Sequence, residues 1–226
     1  MLLAIDTSTS LIGAAVHDGS TLRSEVARED VRRHGELLAP AVQEALVRAG
    51  CARNDLTAVV VGVGPGPFTG LRVGVVTALV MGHVLGVPVH GVCSLDALAA
   101  EAAMLPGAPG DLLVATDARR KEVYWARYAV ASGLARRTDG PGVARAADLT
   151  PEQRALPAVG RGPDLYPEAL HGLRGPHPRD VRPGALATLA VRALAEGDPD
   201  ALLLPPEPLY LRRPDAVASV STGAAG

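Results

Sequence analysis

The stretch from Gly62 to Gly74 reads GVGPGPFTGLRVG, with five glycines and two prolines in thirteen residues. Its reading decides the fold, because it joins two apolar segments of different kinds. Before it, residues 57–63 (TAVVVGV) make a continuous apolar run, the pattern of a parallel strand buried on both faces. After it, the spacing predicts a helix from about Thr69 to Leu85. A strand, a glycine-rich turn and a helix in that order belong to an α/β sheet.

Such turns often cradle phosphate, and this one lacks the means. A Walker loop ends in Gly-Lys-Ser/Thr, whereas Gly70 is followed by Leu71 and Arg72. The dinucleotide pattern GxGxxG is met only in part, with Pro67 in the third glycine's place. Pro65 and Pro67 have no N–H to offer a ligand. The helix suggests another role for the glycines. Gly70, Gly74, Ala78, Gly82 and Gly86 recur every four residues, so they form one ridge of very small side chains. Glycine inside a helix costs about 0.5–1 kcal/mol relative to alanine, which close approach of another backbone can offset. That backbone could belong to the chain's own sheet or to a docked partner, and the sequence leaves both open.

Working outward, residues 2–5 read as a strand closed by Asp6, 11–17 and 21–27 as two further strands, and Asp18-Gly19 as their hairpin turn. A helix covers Leu37 to Ala49, with Pro40 in its first turn and Gly50 as its stop. Residues 87–92 form a strand, and Ser94 is placed as the N-cap of the next helix. The order β-β-β-α-β-α-β-α predicts a mixed sheet with helices on its faces. Residues 106–110 (PGAPG) read as a linker. The pattern then restarts: 112–116 is a strand ending in Asp117 and 122–130 a second strand. Residues 131–180 read as loop-rich with weak strand signals near Val143 and Ala158-Val159, and 184–196 as a helix. The last residues, 218–226, read as disordered. Both halves open with strand, Asp, polar turn, strand, which hints at an internal duplication.

The 226 residues carry a formal net charge of −2, so no basic field points to nucleic acid, and Lys121 is the only lysine. Aromatics make up 3 %, too few for a broad base-stacking surface. The two cysteines, Cys51 and Cys93, form no zinc knuckle or disulfide framework. Val73 to Leu95 has no charged residue, yet Gly86-Val87-Pro88 breaks it into a buried helix and a buried strand rather than a membrane span. The N-terminus has no basic region ahead of Asp6, which predicts a cytosolic protein.

Three groups could carry chemistry. Asp6-Thr7-Ser8-Thr9-Ser10 puts a carboxylate and hydroxyls in a hairpin turn, as actin-like ATPases do around phosphates and metal; it could equally cap its own backbone. Its counterpart is Asp117-Ala118-Arg119-Arg120-Lys121, where bulky cations replace the small residues a phosphate turn wants. These cations could reach phosphate, RNA or an acidic partner, or simply be solvated. The six histidines form no HxxxH or HExxH pair, and there is no GxSxG elbow. Cys93 could be a nucleophile or buried filler.

Asp6-Thr7-Ser8, GPGPFTGLRVG, Pro88-Val89-His90-Gly91-Val92 with Ser94-Leu95, and DARRKEVYWARY together resemble the TsaB (YeaZ) family. The family's usual loop is GPGSFTGLR, and here Pro67 replaces its serine. His34-Gly35-Glu36-Leu37-Leu38-Ala39-Pro40, Gly160-Arg161-Gly162 with Tyr166, and Pro208-Leu209-Tyr210-Leu211-Arg212 extend the match over nearly the whole chain. The resemblance implies an α/β, actin-like/Hsp70-like (ribonuclease H-like) fold of two related lobes, residues 1–105 with the dimerisation helices and 110–226. It implies a non-catalytic subunit that joins the catalytic TsaD and the ATPase TsaE to make N6-threonylcarbamoyladenosine at adenosine 37 of tRNA, and that forms a homodimer in isolation. It places the partner interface at His34, Leu38, Thr69, Gly70, Arg72, Gly74, Ala78 and Gly82. Asp6, Thr7 and Ser8 are the nucleotide candidates, and Arg119, Arg120 and Lys121 the candidates for tRNA or partner contact. No intrinsic cofactor or metal is expected, with ATP or ADP held at the complex interface. TsaD-like chains carry Val-Asn-His-Leu-Glu-Ala-His where this one has Val92 to Leu98, so Ser94 and Leu98 replace both metal-binding histidines. The rival expectation is a hydrolase, a glycoprotease or an ATPase using Asp6, Thr7 and Asp117.

Overall fold

The computed structural model describes residues 1–30, 34–198 and 201–212, so the expectation for 218–226 lies outside the described residues. In the first half, β1 (Leu2–Asp6), β2 (Leu11–His17) and β3 (Leu22–Glu29) form an antiparallel meander. Then come α1 (His34–Ala49), β4 (Ala58–Gly64), α2 (Phe68–Leu85), β5 (Val89–Cys93) and α3 (Ser94–Ala103). β4 lies parallel to both β1 and β5, and every residue of it is buried.

Alternation along β1 sorts the core into two layers. Leu3 and Ile5 face α1 and α2, packing with Leu38, Ala41, Ala45, Val75 and Ala78. Leu2 and Ala4 face the other side, toward Leu95, Leu98 and Ala102 of α3.

In the second half, β6 (Asp111–Asp117), β7 (Glu122–Ala131) and β8 (Leu134–Arg145) repeat the meander. Short helices α4 (Pro151–Arg154) and α5 (Gly162–Leu165) flank β9 (Pro157–Val159), and β10 (His171–Gly172) follows. The helix α6 (Pro183–Glu196) and strand β11 (Leu203–Leu204) end the described chain. The sheets run β11-β5-β4-β1-β2-β3 and β10-β9-β6-β7-β8. Without β11, the two orders are the same, and so are the parallel and antiparallel relations along them. The duplication suggested by pattern is thus a duplication of topology.

Three sequence expectations change. The loop-rich region contains β8, twelve residues long; its charges and Gly140-Pro141 hid it, and it is an edge strand paired only to β7. The second lobe does not keep everything after residue 110. α6 packs on β1, β2 and β3 of the first sheet, and β11 pairs with β5, because Leu186, Ala187 and Ala190 complete the apolar layer begun by Leu2 and Ala4. Ser94 is not an N-cap. Cys93 holds that position, and the Ser94 hydroxyl is committed elsewhere.

Candidate functional site

The turn after β1 converges with the glycine-rich loop after β4 and the start of α3. Asp6 is fully buried. Ser8 donates to its Oδ1 through both the backbone N–H and Oγ, each at 2.8 Å. Ser94 Oγ donates to its Oδ2 at 2.9 Å, and Gly64 N–H donates to Ser94 Oγ at 3.1 Å. Gly62 is glycine because a Cβ there would lie 1.8 Å from Asp6 Oδ2. Burial pushes the Asp6 carboxyl up to about 6, against the lowering effect of the Ser8 and Ser94 hydrogen bonds. Thr7 Oγ1 donates to Gly70 O at 2.7 Å. The Asp6-Thr7-Ser8 set is therefore a buried network that ties three loops together, with its polar atoms turned inward.

Ser8, Thr9, Ser10, Pro67, Asp117, Arg119, Arg161 and Asp180 line a cavity of about 50 Å³, against roughly 300–1,000 Å³ for small-molecule sites. Arg161, ahead of α5, grips Asp180 at 2.7 Å and also pairs with Glu29 of β3, so it straps the second lobe to the first. Among the described residues no cluster of His, Cys, Asp and Glu could hold a metal ion. Ser94 and Leu98 are buried in the core. Burial pushes the Cys93 thiol up to about 12, so it offers no thiolate for nucleophilic attack.

The small-residue ridge of α2 faces inward. Gly70, Gly74, Ala78 and Gly82 are buried. A Cβ at Gly74 would lie 2.4 Å from Thr7 Oγ1, and one at Gly82 would lie 2.1 Å from Val89 Cγ2. The helix backbone therefore lies close against its own sheet, and the glycines placed at the partner interface serve that packing instead. Leu38, also placed there, is buried in the core. Thr69 and Arg72 are exposed, and the side chain of His34 lies outside what is described.

The sequence reading missed the opposite face of α2. Val76, Leu79, Val80 and Val84 are 55 %, 42 %, 56 % and 74 % exposed. They fall at helical spacing on one stripe, and Val47 of α1, which packs beside α2, is 68 % exposed. The signal was available: if small residues every four positions mark the buried side, valines at 76, 80 and 84 must lie across the helix. By length and composition α2 could cross a membrane, but its small-residue side is seated on the sheet.

Arg119, Arg120 and Lys121 are exposed at the tip of the β6–β7 hairpin, all three with positive φ (62°, 52° and 64°). Asp117 Oδ1 accepts the Arg119 N–H at 2.7 Å, and its Oδ2 pairs with the Arg119 guanidinium at 3.2 Å.

Comparison with known proteins fits this architecture. The family model described as TsaD, tRNA N6-adenosine threonylcarbamoyltransferase, matches residues 22–163. An uncharacterized protein of Mycobacterium tuberculosis is 47 % identical over 218 residues, 95 % of this chain and 93 % of that one. The tRNA threonylcarbamoyladenosine biosynthesis protein TsaB of Bacillus subtilis is 35 % identical over 133 residues, and that of Escherichia coli 37 % over 129. These two matches span 57 % and 54 % of the TsaB chains. The solved structure of YeaZ from Pseudomonas aeruginosa superimposes with a TM-score of 0.75 at 30 % identity, covering 93 % of this chain and 99 % of that one. With two actin-like lobes and sequence identity across the full length of a YeaZ chain, this chain belongs to the TsaB (YeaZ) family.

Proposed function

We propose that the chain is a non-catalytic subunit that activates a TsaD-type partner in the synthesis of N6-threonylcarbamoyladenosine at adenosine 37 of tRNA. The observation that carries this reading is the outward stripe Val76, Leu79, Val80 and Val84. A monomer gains nothing by leaving such a row in water, since burying one aliphatic side chain contributes about 1.5–3 kcal/mol. The stripe docks the TsaD homologue, the TsaE homologue joins that pair in the cytosol, and in isolation a second copy of the chain covers the same valines. ATP or ADP used by the assembly sits at the interface between subunits, because the cavity beside the Asp6 turn holds only about 50 Å³. The inward-turned Asp6, whose carboxylate oxygens are taken by Ser8 and Ser94, speaks against hydrolysis by the chain alone.

The test is reconstitution with the TsaD and TsaE homologues of the same organism, scoring tRNA modification with and without this chain. The double variant Val76→Glu, Val80→Glu should keep its circular dichroism spectrum yet lose co-purification and activation. Full modification without the chain, or ATP turnover by the purified monomer, would sink the reading.

A further inference from the structure

Three separated parts of the chain meet beside the cationic turn. Gly66, Pro67 and Phe68 come from the loop entering α2; Asp117 to Arg120 and Tyr124 from the β6–β7 hairpin; Tyr210 to Arg212 from the returning C-terminal segment. They enclose a cavity of about 200 Å³. Phe68 and Tyr210 stack with centroids 5.0 Å apart and planes at 30°. Arg72 lies 4.1 Å over the Phe68 ring and donates to Tyr210 Oη at 3.1 Å, fixing the pair. Tyr210 still keeps 40 % of its surface in solvent. Arg212 braces the hairpin from below, donating to Ala118 O and pairing with Glu122.

We infer that this corner is a contact site for single-stranded RNA, with phosphodiesters on Arg119, Arg120 and Lys121 and one base on the open face of Tyr210. The inference rests on the proposed role in tRNA modification. Asp117 pairs with Arg119 and Glu122 with Arg212, while Arg72, Arg120 and Lys121 add three further cations to the corner, in a chain whose net charge is −2. Left-handed backbone at three successive residues is the geometry that glycine adopts freely, yet the turn carries three long cations. At about 200 Å³ the cavity is smaller than a small-molecule site, which suits one base of a passing strand better than an enclosed mononucleotide. An exposed ring beside arginines is how unpaired RNA bases are held. Two rings allow one base, so affinity is modest and salt-dependent.

Fluorescence anisotropy with a labelled fifteen-nucleotide single-stranded RNA, titrated from 50 to 200 mM salt, tests this on the full chain. Three phosphate contacts give a log–log salt slope of about −2, at about −0.7 per contact. The triple variant Arg119→Ala, Arg120→Ala, Lys121→Ala should flatten the slope. Tyr210→Ala should weaken binding about tenfold, as loss of one stacked base does, and Tyr210→Phe should restore it. Unchanged binding by the triple variant overturns the inference, as does a flat salt slope in the unaltered chain. Equal affinity for ATP would make this a nucleotide pocket, and equal affinity for poly-glutamate a surface for an acidic protein; either also overturns it. Val76 lies about 12 Å along the helix from Phe68. Loss of RNA with the partner retained therefore speaks to this corner, and loss of the partner with RNA retained speaks to the valine stripe.

Discussion

Asp6 closes β1 and Asp117 closes β6, at equivalent places in two sheets of the same strand order, yet the two turns have opposite characters. The turn after Asp6 is made of small hydroxyl residues, and its carboxylate is wholly buried beneath Gly62 and Ser94. The turn after Asp117 carries Arg119, Arg120 and Lys121 into solvent, and the Asp117 side chain keeps 27 % of its surface. One copy of the motif has become internal scaffolding; the other is a projecting charged surface. The difference teaches that topology fixes where a carboxylate ends a strand, while the following residues decide whether it faces the core or water.

The largest effect should come from disturbing the buried copy. Gly62→Ala would drive a Cβ to 1.8 Å from Asp6 Oδ2 and split it from Ser94. A cost of about 3 kcal/mol is expected, seen as a fall in melting temperature of about 6–12 °C. The second lobe has its own close approach: a Cβ at Gly160, after β9, would meet Ala115 O at 2.3 Å, and φ there is +93°. Gly160→Ala should therefore also destabilise, whereas Gly110→Ala, with nothing within 4 Å, should leave stability nearly unchanged. Equal melting temperatures for Gly62→Ala and Gly110→Ala would refute the buried-scaffold account.

The next effect is one of pH. Because burial raises the folded-state pKa of Asp6 from 3.8 to about 6, the folded chain holds that proton more tightly than the unfolded one. The resulting stabilisation is complete below about pH 4 and is lost as pH rises through about 6, a change of about 3 kcal/mol. Asp6→Asn removes the titration. Denaturant melts should show the unaltered chain losing stability relative to Asp6→Asn between pH 4 and 7; parallel curves would show that Asp6 does not titrate there.

A milder effect is expected at the exposed copy. Asp117→Asn weakens an accepted N–H bond and removes a half-solvated ion pair with Arg119. The cost should be about 0.5–1 kcal/mol, read as a small shift of the urea midpoint. A loss as large as that of Gly62→Ala would mean the two turns are equally structural.

Much of this contrast is legible in the sequence. The apolar run before Gly62, the glycine punctuation and the repeated strand–Asp–turn–strand gave the sheet type and the duplication. What stayed hidden were matters of side and distance. A ridge of small residues marks a close approach without saying to what, and only the 2.4 Å between a Gly74 Cβ and Thr7 Oγ1 assigns it to the chain's own turn. Ser94 reads as a cap because serine before a helix usually is one; its partner Asp6 lies 88 residues away. The Phe68–Tyr210 stack joins residues far apart in the chain, and no local pattern encodes such a pair. Likewise α6 is amphipathic in sequence, but which sheet it covers depends on where the apolar layer was left incomplete.

The smallest effect bears most directly on why the exposed copy has its composition. Lys121 sits at φ 64°, in the left-handed region. A side chain there costs about 1–2 kcal/mol relative to right-handed backbone. Glycine would relieve that strain and forfeit about 0.5–1 kcal/mol through its freer unfolded chain. Lys121→Gly should therefore gain about 0.5 kcal/mol, measured as a slightly higher urea midpoint at unchanged slope. If the turn were mere connection, glycine would be the better residue there. A stability gain together with a weaker salt dependence of RNA binding would mean that the cation is kept for what it touches. A loss of stability would mean instead that Lys121 supports the hairpin itself, and the two turns would then differ only in how they hold their own lobes.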